Sequence, residues 1–318
     1  MSNERILFMG TPDFAVATLN ALVADGFDVC AVVTAPDRPA GRGRQLRASA
    51  VKERALELGL PVLQPEKLKD PAFLSQLDAL DASLYIVVAF RMLPEVVWSK
   101  PKFGTVNLHG SLLPAFRGAA PINWAVINGE QLTGVTTFRI QHAIDTGDLL
   151  LQEDTPIGPE ETAGDIHDRL MHIGAALMVR TVHGLFDGSL IASPQVIDTN
   201  APPPEAPKID PSSTRLSFDK PAQRVHNLVR GMSPYPGAWC NWTNSSGTVA
   251  HCKILRTRLT NAPTKGSMGL IEQLSERLLV SCSDHQLEIL ELQLEGRRRM
   301  SAAELIRGSR DLAGSKLS

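Results

Sequence analysis

Asn107 and His109 stand two positions apart in NLHGSLLPAFRGAAP (107–121), and a carboxylate, Asp145, follows in IDTGD (144–148). An Asn amide can donate to an oxygen that becomes negative. A His ring carries a proton or, when charged, stabilises an anion, and an Asp can hold that ring or relay protons. Together the three suit acyl transfer to an amine, whose tetrahedral intermediate bears an oxyanion and a surplus proton. No Ser or Cys nucleophile is needed. Residue type alone leaves other groupings open. A hydrolytic triad through Ser111 lacks the G-x-S-x-G setting. A metal site from His109, His142 and Asp145 lacks the usual spaced His motif, so no metal is expected. A strand-end His and a loop Asp with no chemistry at all are also common.

A second candidate is PDRPAGRGRQLR (36–47), with Arg38, Arg42, Arg44 and Arg47 among glycines and prolines. No apolar side chain larger than Ala or Pro appears before Leu46, so the segment reads as a flexible loop. Four guanidinium forks suit phosphate contact; the plain alternative is a solvated charged loop. Gly10-Thr11-Pro12 stands where a dinucleotide loop would stand, but G-x-G-x-x-G is absent and Pro12 lacks an amide proton. Nicotinamide chemistry is therefore not expected. GRGR (41–44) is not followed by the Gly-Lys-Ser/Thr of a Walker loop.

The elements that must position these residues alternate. ILFM, DVCAVVTAP, PVLQP, ASLYIVVAF and GTVNLH read as strands, with helices at DFAVATLNALVADG, VKERALELGL, PAFLSQLDALD and LPEVVWSK between them. That alternation implies a Rossmann-like α/β fold, a mainly parallel sheet wound on both faces. Such sheets bind ligands beyond the carboxyl ends of their strands, where Asn107 and His109 fall. Asp13 is expected to cap the first helix and Gly26 to end it. PINWAVINGE is helical, TGVTTFRI a strand, AIDTGDLL a loop into another strand. The long helix GDIHDRLMHIGAALMVRTVHGLF starts at a capping box of Thr162 and Asp165.

NAPPPEAPKIDPSST (200–214) holds five prolines and reads as a stiff spacer. The expected division is a catalytic domain over 1–191, a proline-rich linker over 192–210 and a second domain over 211–318. There a helix, PAQRVHNLVRGM, precedes short turn-punctuated strands that suggest a small β-barrel, and SAAELIRG closes as a helix.

The chain has 318 residues, 43% of them hydrophobic, and a formal charge of −2. That is ample for two cores. Residues 211–318 hold 15 Lys/Arg against 9 Asp/Glu. The basic C-terminal third hints at a polyanionic partner. Cys30, Cys240, Cys252 and Cys282 form no Cys-x-x-Cys pair, so neither zinc nor a disulfide framework is indicated. No stretch reaches membrane-span length. A reduced, soluble, cytoplasmic protein is expected.

Taken together, NLHGSLLP (107–114) and IDTGD (144–148) resemble the signature of the 10-formyltetrahydrofolate-dependent formyltransferases. Within that family GTPDFA (10–15), PDRPAGRG (36–43), RGAAP (117–121) and APKI (206–209) look like the branch that formylates methionyl-initiator tRNA. The resemblance runs over essentially the whole chain. It implies transfer of a formyl group from 10-formyltetrahydrofolate to the α-amine of the methionyl-tRNA, for translation initiation. Asn107, His109 and Asp145 match the family's catalytic residues, and Ser111, Leu112, Leu113 and Pro114 its folate segment. Arg38, Arg42 and Arg44 fall in its basic tRNA loop, Lys208 matches a linker lysine near the tRNA 3′ end, and the last domain is similar to an OB-fold barrel. A monomer is expected. One departure stands out. The family commonly has Ala-Tyr-Gly, two residues and Leu-Pro lining the pterin pocket. Here AFRMLP (89–94) lacks the Gly and is one residue shorter, leaving Phe90, Arg91 and Met92 to contact folate through backbone groups. The alternative acceptor is another amine, such as a sugar nucleotide.

Overall fold

The computed structural model describes residues 4–40, 45–309, 312 and 314–318. It divides into two compact units, one of residues 1–121, 133–155 and 167–205, the other of 122–132, 156–166 and 206–318. The second unit thus draws two short segments from within the sequence span of the first.

In chain order the first elements are β1 (Arg5–Gly10), α1 (Asp13–Ala24), β2 (Asp28–Val33), β3 (Arg38–Ala40), β4 (Gln45–Arg47), α2 (Ala50–Glu57), β5 (Val62–Leu63) and α3 (Pro71–Leu80). There follow β6 (Leu84–Val88), α4 (Glu95–Trp98), β7 (Thr105–His109), β8 (Arg117–Gly118), α5 (Pro121–Asn128), β9 (Leu132–Arg139), β10 (Leu149–Pro156) and α6 (Ala163–Phe186). Seven strands form one sheet in the order β10-β9-β7-β6-β1-β2-β5. The pairings from β5 through β2, β1 and β6 to β7 are parallel, and β9 is antiparallel to β7. This is the doubly wound sheet expected. The chain winds outward from β1 to β5, then returns to lay β6 on β1's other side.

Strands buried on both faces read as unbroken apolar runs. Accordingly Ile6, Leu7, Phe8 and Met9 of β1 are fully buried, as are Leu84, Ile86 and Val88 of β6. Gly10, the last residue of β1, has no room for a side chain, since a Cβ there would lie 2.6 Å from that of Ala15. At α6 the Thr162 hydroxyl accepts from the Asp165 amide at 3.2 Å, and the Asp165 carboxylate accepts from the Thr162 amide at 2.8 Å. The anticipated capping box is therefore made.

Two local expectations need correction. Asp13 does not cap α1: Pro12 holds that position without a side-chain bond, and Asp13 is the first helical residue. Its carboxylate meets the positive end of the helix dipole instead. The 36–47 segment is not wholly irregular either. β3 and β4 pair antiparallel, Arg38 opposite Arg47 and Pro39 opposite Leu46. Just before β3, Asp37 is fixed by the Lys52 ammonium at 2.6 Å and the Gln64 amide at 2.8 Å. These two partners hold its carboxyl below the usual carboxylate range. Arg42 and Arg44 lie outside the described residues.

The remaining elements are β11 (Glu205–Ala206), α7 (Ala222–Gly231), β12 (Ala238–Thr243), β13 (Val249–Pro263), β14 (Ile271–Leu274), β15 (Arg277–Ser281), β16 (His285–Leu294), β17 (Met300–Ser301), α8 (Ala302–Gly308) and β18 (Lys316–Leu317). The strands run in the order β14-β15-β16-β13-β12-β18, with β17 on β16. The ring closes because β18 also reaches the entry to β14: the Leu317 amide donates to the Gly269 carbonyl and the Ile271 amide to that of Ser315. The result is an OB-like antiparallel barrel. Its core includes Val225, Val229, Cys240, Trp242, Ile254, Leu278, Ile289 and Leu292. All four cysteines are free and buried.

Candidate active site

The end of β7 carries Asn107 and His109. In register, Asn107 lies between Val87 of β6 and Phe138 of β9. Alternation along β7 sends both side chains to one face. The His109 ring is buried, 6% exposed, with the Phe138 ring edge-on at 6.4 Å between centroids. Its Nε2 donates to the Phe116 carbonyl at 2.8 Å. Its Nδ1 faces the Asp145 carboxylate at 3.7 Å, beyond hydrogen-bond range. In the neutral ring with its proton on Nε2, Nδ1 is bare. Closing that gap to a bond needs a proton on Nδ1.

Asp145 lies on the loop between β9 and β10 with a left-handed φ of +53°. Its Oδ2 accepts from the Gly118 amide at 3.0 Å, so the Arg-Gly corner grips the carboxylate that faces His109. Gly147 is required two residues on, since a Cβ there would come within 1.7 Å of the Arg139 carbonyl oxygen.

The Ser-Leu-Leu-Pro turn is built from within. The Ser111 hydroxyl donates to the Ala115 carbonyl at 2.6 Å and is fully buried. Its proton is committed to the turn, and the His109 Nε2 is committed to the Phe116 carbonyl. Thr136 of β9 donates to the Ser111 carbonyl and accepts from the Leu113 amide. Gln152 of β10 donates to the Leu113 carbonyl at 2.8 Å. The Leu113–Pro114 peptide is cis. Leu112 packs over Gly134, where a Cβ would lie 2.6 Å from its Cδ2.

Residues 89–94 leave β6 at the same rim. Ala89 has φ +47°, a tight exit from the strand. Phe90 is half-buried against the sheet core. The Arg91 guanidinium lies 5.6 Å from the Phe90 ring centroid and donates to the carbonyls of Pro65 and Glu66. Met92 is 73% exposed. Arg38 and Lys208 are exposed.

Sequence reasoning missed Gln195. Its amide donates to the carbonyls of Asp145 at 2.9 Å and Gly147 at 2.8 Å, and its Oε1 accepts from Arg117 Nε at 3.1 Å and from Nη2. One side chain thus ties the Asp145 loop to the Arg-Gly corner. A lone Gln in a stretch read as linker carries no compositional signal; a tether of this kind appears only in three dimensions. Thr136 and Gln152 were missed for the same reason. Among the described residues no cluster of three His, Cys, Asp or Glu side chains could hold a metal. None of their helices is long and apolar enough to cross a membrane.

Residues 4–182 match the Formyl transferase family and residues 208–310 the Formyl transferase, C-terminal domain family. The chain is 46% identical over 308 residues to a methionyl-tRNA formyltransferase of Bacteroides fragilis, covering 96% of this chain and 94% of the relative. It is 47% identical over 313 residues to that of Parabacteroides distasonis, covering 97% of each. Among solved structures, the sugar 3N-formyl transferase WlaRD superposes with a TM-score of 0.65 at 18% identity, over 94% of this chain and all of that one. HypX from Aquifex aeolicus in complex with tetrahydrofolic acid superposes at 0.64 and 16%, over 96% of this chain and 47% of that one.

Proposed function

Because the chain belongs to the methionyl-tRNA formyltransferases, we propose that it moves the formyl group of 10-formyltetrahydrofolate onto the α-amine of methionyl-initiator tRNA through Asn107, His109 and Asp145. The observation that carries the assignment of residues is the rim of β7. There a buried imidazole lies between a backbone carbonyl and a carboxylate, with an Asn amide two residues away on the same face.

Asn107 donates to the formyl oxygen as charge builds on it, and His109 supports that charge when protonated. His109 and Asp145 handle the proton that the attacking nitrogen sheds and the departing folate nitrogen gains. The amine attacks in its neutral form. An α-amino group titrates near about 7.7–8.0, so little deprotonation is needed at neutral pH. The residues present fit a folate donor. The turn 111–114 is rigid and largely apolar, and 89–94 brings backbone polar groups to the same rim. Ser111, Leu112, Leu113, Pro114, Phe90, Arg91 and Met92 are the proposed folate contacts.

Arg38, Arg42, Arg44 and Lys208 are the proposed tRNA contacts, supported by their exposure where described and by the basic balance of 211–318. The working form is taken as a cytoplasmic monomer, with a catalytic domain over 1–191 and a tRNA-binding domain over 211–318. A sugar-nucleotide acceptor gains nothing from the likeness to WlaRD, which at 18% identity speaks for the fold alone.

The test is transfer of labelled formyl to methionyl-initiator tRNA, with elongator methionyl-tRNA as control. Product on the initiator only is expected. Product on neither, with folate still bound, overturns the acceptor assignment.

A further inference from the structure

The chain leaves β2 at Val33 and enters α2 at Ala50, and the β3–β4 ribbon stands between them on a tied neck. Thr34 and Ser49 join the two sides of the neck, hydroxyl to hydroxyl at 2.7 Å. Ser49 also caps α2, accepting from the Lys52 amide at 3.1 Å. Gln64, just past β5, donates to the Ala35 carbonyl and to Asp37 Oδ1, both at 2.8 Å. Lys52 Nζ donates to Asp37 Oδ2 at 2.6 Å. Both carboxylate oxygens of Asp37 are thus engaged toward α2 and the end of β5.

Beyond the neck the charges are of one sign. Arg38 is directly opposite Arg47. Residues so paired share a face at short range, and like charges there are destabilising. Both are exposed, and among the described residues no carboxylate pairs with either. The field of Arg38 also reaches Arg91, whose pKa lies below its ordinary value through burial first and the Arg38 charge second. The acid next to Arg38 in sequence is Asp37, and Lys52 holds it. Lys52 is an unusual choice for its position, because a cation in the first turn of a helix meets the positive end of the dipole. The Asp37 carboxylate offsets that. With side chains 21% and 31% exposed, the pair is sheltered enough that salt screens it less than an ordinary surface pair.

We infer that Lys52 is a positioning residue for nucleic-acid binding: it draws the Asp37 carboxylate inward and cancels its charge, so that Arg38 and Arg47 meet phosphates at full strength. The inference rests on the tRNA reading above. The neck uses a carboxylate to join Gln64 to α2, and this sets a negative charge one residue from Arg38. The Debye length is about 10 Å at 0.1 M salt, so an uncancelled Asp37 subtracts one charge from the ribbon. Lys52 restores it. Two guanidinium forks on one face then suit phosphate oxygens, which take paired donors.

The test is a double-mutant cycle on the full chain, read as affinity for methionyl-initiator tRNA over a salt series, with melting temperature alongside. Lys52→Met leaves Asp37 uncancelled: affinity falls about 3- to 10-fold at low salt, and the slope of log affinity against log salt falls by about one. Asp37→Asn binds as tightly as the unaltered protein or tighter, since it leaves Lys52 as an added cation. Lys52→Met combined with Asp37→Asn returns affinity to within about twofold and restores the slope. Lys52→Arg keeps the pairing and binds normally. The signs separate this role from two others. If the pair merely braces the neck, all these losses add, and Asp37→Asn weakens binding too. If Lys52 itself touches a phosphate, the double variant stays as weak as Lys52→Met. Either result overturns the inference. Should Lys52→Met melt early, Asp37→Asn carries the test alone, and weaker binding by it overturns the inference. Failure of the tRNA reading looks different: the unaltered protein then has no salt-dependent affinity for this tRNA.

Discussion

Replacing Gln195 with Met keeps most of the side-chain volume and removes every polar contact it makes. Four hydrogen bonds vanish: two into the carbonyls of Asp145 and Gly147, and two from the Arg117 guanidinium. At roughly 0.5–1.5 kcal/mol each, and allowing for water reaching this half-buried site, the loop loses on the order of 2–4 kcal/mol of anchorage. Asp145 is held in a left-handed conformation that a non-glycine residue adopts at a cost of about 1–3 kcal/mol. Untied, the loop relaxes and the carboxylate leaves the His109 ring. A misplacement near 1 Å costs on the order of 100-fold in rate. With part of the grip left to the Gly118 amide, the expected fall in kcat is about 10- to 100-fold, or ~1.4–2.7 kcal/mol. The assay is steady-state formylation with thermal melting alongside. Positioning predicts a lower kcat, a changed pH profile and little change in the KM for tRNA. Gln195→Glu restores the Arg117 partner but not the donors to the loop, and rescues stability more than rate. A kcat for Gln195→Met within twofold of the unaltered protein refutes the reasoning.

Ser111→Ala loses one buried bond in the turn, costing about 1–2 kcal/mol of stability; kcat stays within tenfold, and a loss beyond 1,000-fold revives the nucleophile reading. Gly147→Ala forces the loop off the Arg139 carbonyl, costing about 1–3 kcal/mol in melting experiments and at least tenfold in kcat; an unaltered melt and rate refute the close approach. Arg42→Ala weakens productive tRNA use, and the slope of log affinity against log salt falls by about one; an unchanged slope leaves the loop merely solvated. His226 is buried against Thr257 and Pro159, and burial is the main reason its pKa lies below the ordinary value, against a raising pull from Pro159 and Glu160. The unfolded chain then binds the extra proton first, so stability is full above about pH 6.5 and falls as the pH drops below it. His226→Gln flattens melting temperature between pH 7 and 5, and a slope identical to the unaltered protein contradicts this.

The parallel sheet was legible because its strands are buried on both faces and so read as apolar runs, as in ILFM and LYIVV. Asn107 and His109 were legible as rim residues because the run simply ends there. The Thr162–Asp165 box was legible because capping is local in sequence. What escaped was non-local. Gln195 acts through contacts 48 to 78 positions away. The β3–β4 ribbon has no alternating pattern to announce it, and Asp37 secures its base through Lys52 and Gln64. The barrel is shut by β18, two residues long, too short for any periodicity. Asp13 missed the cap because Pro12, fixed in φ, suits the position just outside the helix and shifts the start by one.

The central claim is that His109 acts on the chemistry and not on the hold of the tRNA. The measurement is single-turnover formyl transfer by His109→Ala, with 10-formyltetrahydrofolate and methionyl-initiator tRNA both saturating and tRNA affinity measured on the same preparation. The prediction is a rate at least about 100-fold lower with tRNA affinity within twofold. A rate within tenfold of the unaltered protein, at intact folding, contradicts the account.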